Sequence, residues 1–88
     1  MIFKIFAIYD QKAGAYLPPF VLPTDGMATR TFSDCVNKED HQFHAHPADY
    51  TLFGLGEFDD ESAAIIPYEV VKSYGTGVEF IDQPAPEI

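Results

Sequence analysis

The sequence predicts a single small α+β domain: an antiparallel or mixed sheet of about four strands with one main helix packed on one face. Extended segments with apolar or alternating patterns occur at the start, in the middle and near the end of the chain. Only the segment after residue 24 has apolar residues at helical spacing. The chain has 88 residues, 47% of them hydrophobic, which suffices for one packed core.

The first strand is predicted over residues 2–9, where both faces carry apolar side chains. We therefore expect it inside the sheet, covered by a helix on at least one side. A turn is predicted at 10–14, where Gly14 can adopt positive φ, and residues 15–17 resume an extended path. Three prolines in residues 18–23 remove donors of a sheet ladder. That segment is expected to be an edge strand or a crossover.

The helix is predicted to begin with Thr24 or Asp25 as its N-cap. One of its faces carries four residues at helical spacing, namely Ala28, Phe32, Cys35 and Val36. Asn37 is expected to be a left-handed residue at the carboxyl end. Cys35 is the sole cysteine, so no intramolecular disulfide can form, and we interpret it as a small core hydrophobe rather than a nucleophile.

The second half of the chain is predicted to contain a β-hairpin. Residues 38–45 are expected to be a polar connection, and residues 50–58 a strand. Gly54 and Gly56 leave one face of that strand without side chains, which allows a bulge or the close approach of another backbone or an aromatic ring. A turn over residues 59–62 would return the chain to a partner strand.

The partner strand is expected at residues 63–66. Residues 67–72 fit either a short helix begun by a proline or another strand, and both alternatives stay open. Glycines then precede the apolar segment 78–81. We expect the domain to span residues 1–81 and residues 82–88 to form a flexible C-terminal tail.

The net charge of −9 is the strongest global constraint on function. Nucleic-acid binding depends on the neutralisation of phosphates by basic side chains, and this chain has only five. A basic protein partner, or a role in which the chain mimics DNA, suits the charge better. If single-stranded DNA is contacted, the candidate residues are the cations and nearby aromatics of the first third, namely Lys4, Lys12, Arg30, Tyr16 and Phe20.

Other motifs give weaker signals. His41, His44 and His46 are candidate ligands for Zn²⁺ or Ni²⁺, but their spacing fits no structural zinc signature, so we interpret them as a solvated loop. The acidic run at residues 59–61 lacks the glycine and distal glutamate of a calcium loop. We expect no enzymatic activity and no cofactor. The sequence also contains no signal-peptide pattern and no apolar run long enough to span a membrane, which predicts an intracellular protein.

Short segments in fixed order over residues 1–62 carry a family resemblance; they are 9–16, 18–20, Arg30, 32–34, 36–37, 46–53 and 56–60. Together they resemble the small nonstructural proteins of gokushovirus-type microviruses, which are single-stranded DNA phages. The resemblance implies a role in the switch from replicating duplex DNA to producing and packaging single-stranded progeny genomes, and no place in the capsid. It supplies no catalytic residues. Lys12 and Arg30 are the only cations in the matched segments, whereas His41 and His44 fall outside them.

The working hypothesis is a noncatalytic phage accessory protein in the host bacterial cytoplasm. Its negatively charged surface would dock on phage or host replication or packaging proteins. The first alternative is a protein that binds single-stranded DNA directly, and the second is a metal-binding protein that uses the histidine cluster. Exposed strand edges also allow a homodimer, because pairing two edges satisfies their free N–H and C=O groups.

Overall fold

The computed structural model describes residues 1–82, and it has the predicted α+β architecture. The expected C-terminal tail lies outside the described residues, apart from Asp82. The elements in chain order are β1 (Ile2–Asp10), β2 (Ala15–Tyr16), β3 (Phe20–Leu22), α1 (Asp25–Val36), α2 (Gln42–Ala45), a 3-10 turn (Pro47–Asp49), β4 (Tyr50–Asp59), β5 (Ile65–Thr76) and a second 3-10 turn (Gly77–Phe80). No helix within residues 1–82 is long and apolar enough to cross a membrane.

All strand pairs of the sheet are antiparallel. β1 lies in the interior, with β4 on one side and both β2 and β3 on the other, and β5 lies outside β4. This confirms the interior position that the two apolar faces of β1 predict. It also confirms that the proline-rich segment forms an edge, because β3 pairs with β1 alone. The turn between β1 and β2 contains Gly14 at φ +67°, as expected.

Helix α1 packs on one face of the sheet and begins as the sequence predicts. Thr24 is its N-cap, and its Oγ1 accepts a hydrogen bond of 3.2 Å from the Met27 backbone N–H. The buried core joins this helix to α2 and to the two central strands; its members are Phe6, Ile8, Ala28, Phe32, Val36, Phe43, Tyr50 and Leu52. Cys35 is partly buried against this core.

The prediction of a left-handed Asn37 is wrong, since its φ and ψ are −92° and 3°. The chain needs no left-handed residue there, because Asn37 is held by other hydrogen bonds. Its backbone N–H donates to Ser33 O over 3.0 Å, and its Nδ2 donates to Ser33 O and Phe80 O over 2.8 and 2.9 Å. Its Oδ1 also accepts from the Asp82 backbone N–H at 2.9 Å. Asn37 thus fastens the end of the described chain to the end of α1.

The expected polar connection contains the one-turn helix α2. His41 caps it, since its Nδ1 accepts a hydrogen bond of 3.0 Å from the Phe43 backbone N–H. Phe43 is 5% exposed and lies against the rings of Phe32 and Tyr50. One buried aromatic side chain therefore fixes a segment whose other residues face solvent.

The two glycines of β4 confirm the close approaches that the sequence predicts. A methyl group at Gly54 would lie 3.0 Å from Cε2 of the Tyr74 ring. A methyl group at Gly56 would overlap the carbonyl oxygen of Ile66 and lie 2.9 Å from the Pro67 Cα. The first glycine makes room for a ring and the second for the neighbouring backbone.

Residues 67–72 belong to strand β5, so of the two alternatives left open for them the strand is confirmed. This strand contains a large bulge. Gly54 pairs with Lys72 and Gly56 with Pro67, so residues 68–71 stand opposite a single residue of β4. Val70, at the middle of this bulge, is 80% exposed. The bulge interrupts the outer edge of the sheet.

Candidate functional site

The sheet has one face covered by helices and one face that no helix within residues 1–82 covers. Phe6 and Ile8 of β1 pack against α1, so the alternate residues of β1 point the other way. Residues paired across an antiparallel ladder share a face, which extends this assignment to the other strands. We call the uncovered side the open face; its apolar residues include Phe3, Ile5, Ala7, Tyr9, Tyr16, Val21, Phe53, Phe58, Ile65 and Pro67.

One end of the open face carries an aromatic ladder. The rings of Tyr9 and Tyr16 lie 5.0 Å apart between centroids at 65°, and those of Tyr16 and Phe53 lie 5.7 Å apart at 71°. Such edge-to-face contacts are favourable for aromatic pairs. Tyr16 is 46% exposed, so part of this ladder is accessible to a partner.

The other end of the open face forms an apolar groove of about 320 Å³. Its lining residues come from four strands and the segment before β3, namely Ile5, Pro19, Val21, Phe58 and Ile65. Val21 and Ile65 are 47% and 67% exposed. The groove can receive apolar side chains, but its lining offers no charged group to hold an ion.

The structure does not bring together the five residues predicted to contact single-stranded DNA. Tyr16 lies on the open face, whereas Phe20 lies on the covered face, where its ring stacks on Phe6 at 5.8 Å. Lys12 is exposed in the turn between β1 and β2, and Arg30 is exposed on α1. Lys4 lies on the covered face, where it has a carboxylate partner.

That partner is Asp25, the first residue of α1, which also holds a second cation. Its Oδ1 lies 3.4 Å from Lys4 Nζ and its Oδ2 lies 3.6 Å from Lys72 Nζ. Lys72 Nζ is also 5.0 Å from the centroid of the Tyr74 ring. This cluster joins the start of α1 to β1 and β5, and sequence reasoning considered Asp25 only as a helix cap.

The cluster changes the ionisation of its members. Partial burial alone would raise the pKa of Asp25, but the nearby Tyr74 hydroxyl and the ammonium groups of Lys4 and Lys72 outweigh it and lower that pKa. Burial raises the pKa of Tyr74 to about 12, and the neighbouring Asp25 carboxylate acts in the same direction. Both shifts favour an ionised Asp25 beside a neutral phenol.

Two of the three histidines proposed as metal ligands make hydrogen bonds to the backbone. His41 Nδ1 caps α2, and His44 Nδ1 lies 2.9 Å from Val36 O. His46 is exposed before the 3-10 turn. In the part of the chain that the structure describes, no three His, Cys, Asp or Glu side chains form a group able to hold a metal ion.

Comparison with known proteins identifies a family. Residues 3–80 match the family model described as Phage ORF5 protein, a range that includes the open face and the Asp25 cluster. No curated protein and no solved structure matches the chain. The match confirms the phage part of the resemblance noted from the sequence, while the microvirus part stays a prediction. Since the match covers most of its length, the chain belongs to the Phage ORF5 protein family.

Proposed function

We propose that this chain is a noncatalytic phage accessory protein that works through protein–protein contacts in the host bacterial cytoplasm. Its partners would be phage or host replication or packaging proteins with basic surfaces. Its step would be the switch from duplex replication to the synthesis and packaging of single-stranded genomes. The phage family supports the setting, and the resemblance to microvirus nonstructural proteins supports the step.

The distribution of charge is the observation that carries the protein-contact part of this proposal. The net charge is −9, and two of the five cations, Lys4 and Lys72, share Asp25. The other three, Lys12, Arg30 and Lys38, lie on a turn, on α1 and after α1. An approaching molecule therefore meets dispersed cations among many carboxylates. Such a field attracts basic proteins and repels phosphate groups.

A phage with an interrupted reading frame for this chain tests the proposed step. During infection of the host, duplex replicative DNA should accumulate and single-stranded progeny DNA should fall, while capsid protein levels stay unchanged. A plasmid copy of the intact frame should restore the ratio of the two DNA forms. An unchanged ratio in the interrupted phage would remove the chain from this step.

The aromatic ladder favours one second candidate, a direct single-stranded DNA binder. Bases stack on exposed aromatic rings, and Tyr16 is accessible at the end of the sheet next to the turn that carries Lys12. A fluorescent single-stranded oligonucleotide titrated at low and physiological salt measures such binding. Binding that weakens with salt and is lost in the Lys12→Glu/Arg30→Glu variant would establish this candidate.

The control for that titration is Lys38→Glu, which changes the net charge in the same direction but at the far end of α1. A general effect of charge would weaken binding in both variants. Contact through specific residues would spare Lys38→Glu. No binding to the oligonucleotide at low salt would eliminate the direct binder.

A further inference from the structure

We propose that the open face is the interface of a homodimer in which two copies stack their sheets face to face. This goes beyond the proposed function, since it assigns a surface and its occupant. Monomeric proteins rarely leave a contiguous apolar patch of more than a few hundred Å² in water. On this chain the apolar residues of the open face extend from the aromatic ladder to the apolar groove, across all five described strands.

The absence of basic side chains from the strand positions of the open face is informative about its occupant. None of the five Lys and Arg residues occupies a strand position on that face, because Lys4 and Lys72 point to the covered face and the others lie outside the strands. A nucleic acid would find no cation on the strands of that face for its phosphates, and Lys12 lies only in the turn at its end. A second copy presents the same apolar surface, and a two-fold axis brings identical apolar patches together.

The size of the face suits a small, reversible dimer. The face is about four strands wide, at about 4.8 Å per strand, and about seven residues long, at about 3.4 Å per residue. Its flat area is therefore roughly 450 Å² per copy, before the area of protruding side chains is counted. Two copies would bury roughly 900 Å² in total, and the protruding side chains of Val21, Ile65 and Tyr16 add to this area. The flat-face value lies below the ~1,200–2,000 Å² of stable interfaces. We therefore expect a dissociation constant no tighter than about micromolar.

The strand edges are poorer interfaces than the open face. The bulge at residues 68–71 interrupts the outer edge of β5, and an edge dimer needs an unbroken row of free N–H and C=O groups. The opposite edge consists of β2 and β3, which have two and three residues and are separated by prolines. The edge pairing that the sequence allows is thus less favourable than stacking of the two faces.

Electrostatic repulsion between two acidic copies gives the dimer a distinctive response to salt. Stacked sheets lie about 10 Å apart and groups on the covered faces lie farther still, so their charges repel across the dimer at about 0.01 M salt, where the Debye length is about 30 Å, but hardly at about 0.15 M, where it is about 8 Å. Raising the salt from low to physiological concentration should therefore strengthen the dimer, because it screens the repulsion between two chains of net charge −9. DNA binding would respond in the opposite direction.

Sedimentation of the full chain at increasing concentration tests the proposal. The wild-type mass should rise from 9.8 kDa towards twice that value. The Val21→Glu/Ile65→Glu variant should stay monomeric, because it places charges on both sides of the groove. These side chains are 47% and 67% exposed, and circular dichroism with a urea midpoint would verify that the variant is folded.

The matched control is Ile66→Glu/Val70→Glu, which adds the same two charges to exposed side chains of β5 that alternate away from the open face. It should dimerise like the wild type. Loss of the dimer in this variant but not in Val21→Glu/Ile65→Glu would place the interface at the β5 edge and overturn the proposal. So would a wild type that is monomeric at every concentration.

A single-stranded oligonucleotide added to the same samples distinguishes the other occupant. If the proposal is correct, the dimer persists in its presence. If the oligonucleotide instead converts the protein to a monomeric complex that requires Tyr16, nucleic acid is the occupant of the face and the proposal is overturned. The phage infection experiment does not depend on either result, so the two proposals can fail separately.

Discussion

Replacing Gly56 with alanine should destabilise the domain, because the added methyl group would meet only backbone atoms. It would overlap Ile66 O and lie 2.9 Å from the Pro67 Cα. Unlike a side chain, these atoms cannot rotate away. Gly56 pairs with Ile5 on one side and Pro67 on the other, so a shift would disturb the ladders to both β1 and β5.

The expected magnitude combines two opposing effects. Overpacking of a rigid site costs up to about 3 kcal/mol, whereas replacing glycine by alanine lowers the entropy of the unfolded chain and returns up to about 1 kcal/mol. The free energy of unfolding should therefore fall by about 2 kcal/mol at Gly56. For a domain of this size that corresponds to a melting temperature roughly 8–16 °C lower.

Urea unfolding followed by circular dichroism measures the effect, and two other glycines calibrate it. Gly26→Ala is the control, since its new methyl group would lie 3.9 Å from the Thr24 Oγ1, an ordinary contact, and alanine favours α1 by up to about 1 kcal/mol. Gly54→Ala should fall between the two, because the Tyr74 ring at 3.0 Å can move slightly. A Gly56→Ala protein as stable as the wild type would refute the close backbone approach.

Four further substitutions, one of them a control, test the core and the Asp25 cluster. Phe32→Ala should lower the free energy of unfolding by about 3–5 kcal/mol, because the ring is 1% exposed and packs on two other phenylalanines; Met27→Ala, 47% exposed, should change it by less than about 0.5 kcal/mol. Asp25→Asn should be less stable than the wild type at neutral pH. The difference in urea midpoint should shrink as the pH falls below about 4, because the lowered folded-state pKa of Asp25 stabilises the fold only while the carboxylate is ionised. The wild type should lose stability as the pH rises from about 10 towards 12, because the raised folded-state pKa of Tyr74 contributes its full stabilisation only below the unfolded pKa. Tyr74→Phe should lose less stability over the same range. Equal slopes of urea midpoint against pH in the two proteins would contradict this.

The sequence predicts those parts of the fold that local patterns encode. The two apolar faces of β1 indicate an interior strand, the prolines before and after β3 indicate an edge, and Thr24 with the spacing of Ala28 and Phe32 locates α1. Each of these signals depends on residues close together in the chain. The structure confirms them.

The parts that the sequence does not predict depend on contacts between distant residues. The turn of α2 is too short for a periodic pattern, and it forms because Phe43 packs on Phe32 and Tyr50. Asn37 is held by Phe80 and Asp82, more than forty residues further along the chain. Neither contact leaves a local signature.

The candidate site shows the same division. The sequence shows which residues could bind DNA, but it does not show the strand register that places some of them on the open face and others on the covered face. Phe20 pairs with Phe6 and therefore faces α1, whereas Tyr16 pairs with Tyr9 and faces away from it. Lys4 lies two residues before Phe6 in β1, so its side chain points to the same face and forms an ion pair with Asp25. A single residue of shift in β3 would have placed Phe20 on the open face.

The interior position of β1 has a consequence for how the chain is made. β1 is synthesised before the other strands, but its long partner is β4, and Ile2 pairs with Asp59. After β3 is complete at Leu22, 37 more residues must be added before that pairing can finish, which takes roughly 2–7 s at bacterial and eukaryotic rates of about 5–20 residues/s. During that interval one side of an apolar strand has no partner on its own chain. Slow translation between residues 38 and 49 would lengthen this exposure, so the yield of folded protein should depend on how quickly the ribosome passes from α1 to β4.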